Sequence, residues 1–75
     1  MGLDSKPTRI VSLLGRNLKA ARCRAGLSQR ELAERTGITL GHLVQIEDGS
    51  SDPDLRIIDS LAKAVGRAAF ELLES

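Results

Sequence analysis

SQRELAERTGITLGHLVQIED, residues 28–48, carries the punctuation of two short helices joined by a tight turn. Ser28 stands three residues before Glu31. That is the spacing of a capping box, in which the hydroxyl accepts from the backbone and the glutamate reaches back to the cap. Leu32 and Ala33 supply the inner side of the helix so started, and Ala33 is small enough for a crossing helix to come near. Gly37 ends it, because the left-handed conformation that closes a helix strains glycine least. Ile38 then plugs the turn into the core. Thr39 is placed to cap the next helix, whose inner face is Leu43 and Ile46. Leu40, Gly41, Val44 and Gln45 are left on or near its outward side.

Two helices crossing steeply through a short turn need this spacing of small, glycine and apolar positions, which is the layout of a helix-turn-helix. An ordinary helical hairpin in a small bundle is the competing reading. Upstream, Thr8 is a candidate cap for a first helix running to about Ala25, with Gly26 as its stop. Its apolar stripe reads Ile10, Leu14, Leu18 and Ala21. Gly15 within it costs about 1 kcal/mol relative to alanine, which predicts a close helix contact there. Leu27 bridges to the second helix. Downstream, residues 50–53 read as a loop, and Asp54 caps a fourth helix from Leu55 to about Val65. Its expected inward residues are Leu55, Ile58, Leu61, Ala62 and Val65, and Gly66 stops it. A short last helix, Arg67 to about Leu73, carries Phe70 and Leu73. The expected fold is all-α, five helices and no strand, with residues 1–8 a polar flexible segment and residues 9–75 one domain.

Composition supports a single small aliphatic core. Seventy-five residues lie near the lower limit for a self-supporting domain, and with one Phe, no Tyr and no Trp the core must be built from Leu, Ile, Val and Ala. No 18-residue apolar run predicts a membrane span, and the first eight residues lack the apolar stretch of a signal peptide. The lone Cys23 excludes an intrachain disulfide framework and fits a reducing cytoplasm; a thiol-sensor reading finds neither a second cysteine nor an activating motif. A lone His42, a lone cysteine and no His/Cys/carboxylate cluster give no zinc site, no nucleophilic triad and no cofactor. Asp52 and Asp54 flank Pro53 as turn and cap residues, and no glycine-rich phosphate loop is present. The chain is therefore not expected to be an enzyme.

Charge has a direction. Residues 1–46 hold eight Lys/Arg against three acids, +5; residues 47–75 hold three against seven, −4. A basic N-terminal part suits a polyanion, with the acidic remainder facing away. Two solvated surfaces that happen to differ would also produce this split.

LGRNLKAARCRAGLSQRELAERTGI, then Ile46-Glu47-Asp48-Gly49, Pro53 and Leu61-Ala62-Lys63-Ala64-Val65-Gly66 resemble the lambda-repressor/Cro family of helix-turn-helix proteins, also called XRE-type regulators. The resemblance spans Leu14 to Leu73. It implies a compact five-helix domain that binds operator DNA, usually as a dimer, with the third helix in the major groove. It also implies an ion pair between Arg22 and Glu47, for which a phosphate contact is the competing role of Arg22. Two departures stand out. Early third-helix positions are usually polar in relatives, and here they are Leu40 and Gly41. The residues after Gly66 lack a serine-type cap.

From these readings the expected base-reading set is Thr39, Leu40, Gly41, Val44 and Gln45, with Gln45 suited to an adenine and the apolar members to a thymine methyl. Gln29 lies where a helix N-terminus favours an anion, and it is expected to position a phosphate. Arg16, Lys19, Ser28, Arg30, His42 and Arg56 are further phosphate candidates, His42 equally readable as plain surface. Ile57, Phe70, Leu72 and Leu73 are the candidates for a homodimer contact; alternatively, Phe70 and Leu73 close the core of a monomer. Two functions compete: a transcription regulator, a small repressor or autoregulator of the phage, restriction-modification or antitoxin type, and a protein-interaction or antitoxin-type module with weak base readout. The first implies double-stranded operator DNA as partner, possible contact with a toxin or other protein, no membrane, and a bacterial or phage-encoded, nucleoid-associated cytoplasmic location.

Overall fold

The computed structural model describes residues 5–74, with side chains described from Arg9 onward. Four α-helices follow in order: α1 Ser5–Arg24, α2 Gln29–Thr36, α3 Leu40–Asp48 and α4 Leu55–Ala64. A 3-10 helix, Ala69–Leu73, completes the bundle. The described residues contain no strand. The all-α expectation therefore stands, with four α-helices rather than five. The reason lies at Ala68, which occupies the cap position and offers no side-chain acceptor. Only the returning half of a cap exists, the Ala68 N–H donating to Glu71 Oε1 at 2.7 Å. The last element closes as a tighter 3-10 turn instead.

The caps of the inner helices are those the sequence indicates. Ser28 Oγ accepts from the Glu31 N–H at 3.0 Å, and the Ser28 N–H donates to Glu31 Oε1 at 2.8 Å. Thr39 Oγ1 accepts from the His42 N–H at 3.0 Å, and Asp54 from the Ile57 N–H at 2.9 Å. Gly37 ends α2 at φ 76°, in the left-handed region, with its N–H donating to Ala33 O at 2.9 Å. The start of α1 differs from expectation. The described helix runs from Ser5, so Thr8 lies within it rather than at its start. Of the segment expected to be flexible, Ser5 to Thr8 are helical, and the residues before them lie outside the described set.

Leu14, Leu18, Leu32, Leu43, Ile46, Leu61 and Leu72 are fully buried and form one aliphatic core. Gly15 sits where α1 meets α3: a Cβ there would collide with the Ile46 carbonyl oxygen and stand 2.7 Å from that of Glu47. Two residues expected inside are exposed, Ile10 at 54% and Leu55 at 70%, and Phe70, a dimer candidate with core closure as its alternative role, is exposed at 65%. Ile10 lies in the early turns of a helix twice as long as any other, beyond the reach of its short partners. Leu55 is the first residue of α4. In the 3-10 turn, three residues per turn put Phe70 and Leu73 on one line. Leu72 points the other way and is 2% exposed. It closes the core in place of Phe70 and Leu73, which removes it from any dimer surface.

Candidate nucleic-acid interface

The α2–turn–α3 unit is braced by one carboxylate. Arg22, near the end of α1, donates from Nε to Glu47 Oε2 at 2.7 Å and from Nη2 to Glu47 Oε1 at 3.2 Å. Its Nη1 donates to Leu27 O at 2.9 Å, tying the pair to the chain that enters α2. The side chains are 11% and 3% exposed. The bond to Glu47 holds the Arg22 pKa above its ordinary range against the opposing effect of burial. The Glu47 carboxylate accepts a third hydrogen bond, at Oε1 from Gln29 Nε2 at 3.0 Å. One residue at the tail of α3 thus joins α1, the start of α2 and the recognition unit.

The remaining candidates fall into two groups. Thr39, Gly41 and Gln45 are exposed, while Leu40, Val44 and His42 are half-buried on α3. The Thr39 hydroxyl is engaged in its cap, and among the described residues the Gln45 amide has no hydrogen-bond partner. Arg16, Lys19 and Arg30 are exposed on α1 and α2, and Ser28 is exposed with its hydroxyl in the capping box. Arg56 stands apart from these, on α4, where it lines an open hollow with Asp54, Leu55, Asp59 and Ala69. Ile57 on the same helix is half-buried against the core. The described residues hold no cluster of His, Cys, Asp and Glu fit for a metal ion. No described helix is long and apolar enough to cross a membrane.

Two contacts escape the sequence reading. The first is Gln29 to Glu47. The second is Asn17, whose Nδ2 donates to Leu72 O at 2.9 Å and Glu74 O at 2.6 Å, fastening the 3-10 turn to α1. The available signal for the second was position: Asn17 lies three residues after Leu14 and four before Ala21, on the flank of the buried stripe.

A braced helix pair with the second member's outer face free defines a helix-turn-helix domain. The helix-turn-helix family model matches residues 18–72, and the chain belongs to that family in its lambda-repressor/Cro-like, XRE-type branch. Over 48 residues it is 44% identical to an uncharacterized HTH-type transcriptional regulator, y4dL, of Sinorhizobium fredii, covering 64% of this chain and 24% of that protein. The chain thus spans about a quarter of that relative's length. Two crystal structures are similar. The clp gene regulator ClgR from Corynebacterium glutamicum has a TM-score of 0.82 and 28% identity, with 85% of this chain and 68% of that one covered. The restriction-modification controller protein C.AhdI from Aeromonas hydrophila has a TM-score of 0.79 and 31% identity, covering 83% and 94%.

Proposed function

We propose that the chain is a DNA-binding transcriptional regulator, a small repressor or autoregulator that binds operator DNA as a homodimer with α3 in the major groove. The observation that carries this reading is the division of labour on α3. Its inner residues Leu43 and Ile46 and its tail residue Glu47 are committed to the fold, while Gln45 and Gly41 on the other face are exposed and uncommitted. Gln29, Arg30, Arg16, Lys19, Ser28 and His42 are assigned to phosphates and Thr39, Leu40, Gly41, Val44 and Gln45 to the bases. Arg56, beside two aspartates, is the weakest of the phosphate set. Regulator names among the family relatives support the same reading. Exposed Leu55, Phe70 and Leu73, with half-buried Ile57, supply the apolar surface for a second copy.

Fluorescence anisotropy against duplex DNA from upstream of the chain's own gene, beside random duplex of equal length, tests the proposal. A preference for the upstream duplex, and a fall in affinity with salt on both, is expected. Equal, weak binding to the two would favour the interaction-module reading, to which the poverty of hydrogen-bonding groups at Leu40 and Gly41 lends support.

A further inference from the structure

Two glycines lie inside helices, and the fold explains only one. Gly15 is required by the backbone of α3, which would meet any Cβ placed there. Gly41, in the first turn of α3, has nothing within 4 Å of a Cβ built on it and is not among the positive-φ residues. Neither packing nor backbone conformation asks for glycine, and glycine inside a helix is disfavoured relative to alanine. What glycine does provide is an approach of the bare helix backbone to a body outside the protein. The residues around it complete the surface. Leu40 precedes Gly41, and Val44 lies one turn after Leu40; both are half-buried and carry only methyl and methylene groups outward. Gln45, one turn after Gly41, is the single exposed amide at this end of α3.

On the DNA-binding reading above, we infer that α3 recognises methyl groups on the major-groove edge. The occupant is thymine-rich duplex, with Leu40 and Val44 packed on pyrimidine C5-methyls and the backbone at Gly41 lying against the base edge between them. The thymine methyl is the one apolar feature that the major groove presents, so an apolar pair at helical spacing reads it and little else. Gln45 then supplies the lone hydrogen-bonded readout, with adenine its bidentate partner. The basic character of residues 1–46 matches the phosphates on either side of such a groove.

The test starts from sites selected by the full chain from a random duplex library. Adjacent thymines are expected in each enriched half-site. Replacing those thymines with deoxyuridine removes only the methyls and is expected to weaken binding about fourfold per methyl contacted, the ratio equivalent to about 0.8 kcal/mol for a buried methyl-sized group. Gly41→Ala is expected to raise the melting temperature while weakening the selected site at least tenfold. Unchanged affinity for the deoxyuridine site, or tight binding by the Gly41→Ala variant, would overturn methyl reading while leaving DNA binding intact. Binding without any enriched sequence would overturn it as well. No binding to any duplex would instead remove the regulator reading on which it rests.

Discussion

Gln29 and Glu47, eighteen residues apart, share a 3.0 Å hydrogen bond through the same glutamate oxygen that accepts from Arg22 Nη2. The residue assigned to a phosphate is therefore oriented by the pair that ties α3 to the scaffold. Glu47→Ala would leave the Arg22 guanidinium buried without its counter-charge and Gln29 without its acceptor. A loss of about 3–5 kcal/mol is expected. Chemical denaturation checks it, and a midpoint equal to the wild type would show that the pair contributes nothing net.

Gln29→Ala and Gln45→Ala are expected to separate positioning from reading. Gln29→Ala should weaken binding to specific and random duplex in similar proportion. Gln45→Ala should narrow the gap between them by about 1–3 kcal/mol. Anisotropy titrations on both duplexes measure this, and an equal loss on the two for Gln45→Ala would take it out of the base-reading set.

Gly15→Ala should destabilise the fold although alanine is the better helix former. The added methyl meets the carbonyl oxygens of Ile46 and Glu47, backbone atoms that cannot rotate away. A cost on the order of 1–3 kcal/mol follows from forced displacement in a packed contact. Thermal melts beside Gly41→Ala, with the opposite expected sign, make the measurement internally controlled.

Leu72→Ala and Phe70→Asp should act on different properties. Truncating buried Leu72 is expected to cost about 2–5 kcal/mol of stability. Phe70 is exposed, so Phe70→Asp should spare the fold and, if the proposed dimer forms through this surface, shift it towards monomer. Sedimentation over a concentration series decides this. A wild-type chain that stays monomeric even with its operator present would defeat the dimer proposal.

Acid should loosen the start of α2. The Ser28 backbone and hydroxyl hold the Glu31 carboxyl below its ordinary value of 4.5. A carboxyl lowered in the folded state stabilises fully above that ordinary value, and the contribution is lost as pH falls through the lowered one. The Ser28 and Glu31 amide resonances should shift together in that acid range. Glu31→Gln should abolish this titration, and its persistence in the variant would assign it to another group.

The fold was most legible where local chemistry sets it. Ser28, Gly37, Thr39 and Asp54 act through neighbours three or four residues away, so their roles follow from spacing alone. Legibility failed at ends. Ile10 and Leu55 fit helical stripes, but periodicity assigns a face without saying whether a partner reaches that turn. Of the dimer candidates Phe70, Leu72 and Leu73, only Leu72 turned inward, because five residues suit two helix types and the uncapped Ala68 selects the tighter one. Among the site residues, the bond from Gln29 to Glu47 depends on how three helices meet, which no local spacing encodes.

The hydrogen bonds and close backbone contacts that fix α3 to α1 and α2 gather at its tail: Glu47 on Arg22 and Gln29, the carbonyls over Gly15, and Gly49, where a Cβ would stand 3.2 Å from Ser12 Cα. Its leading turn rests mainly on apolar neighbours, which have no preferred direction. The helix is thus pinned by directional contacts at its tail, while its tip is held by buried Leu43 and the short turn from α2. Leu40 and Gly41 ride on that tip, about 10 Å along the axis from Glu47 at the ordinary rise per residue. The residues assigned to the bases therefore stand about two helical turns from the contacts that set the angle of the helix.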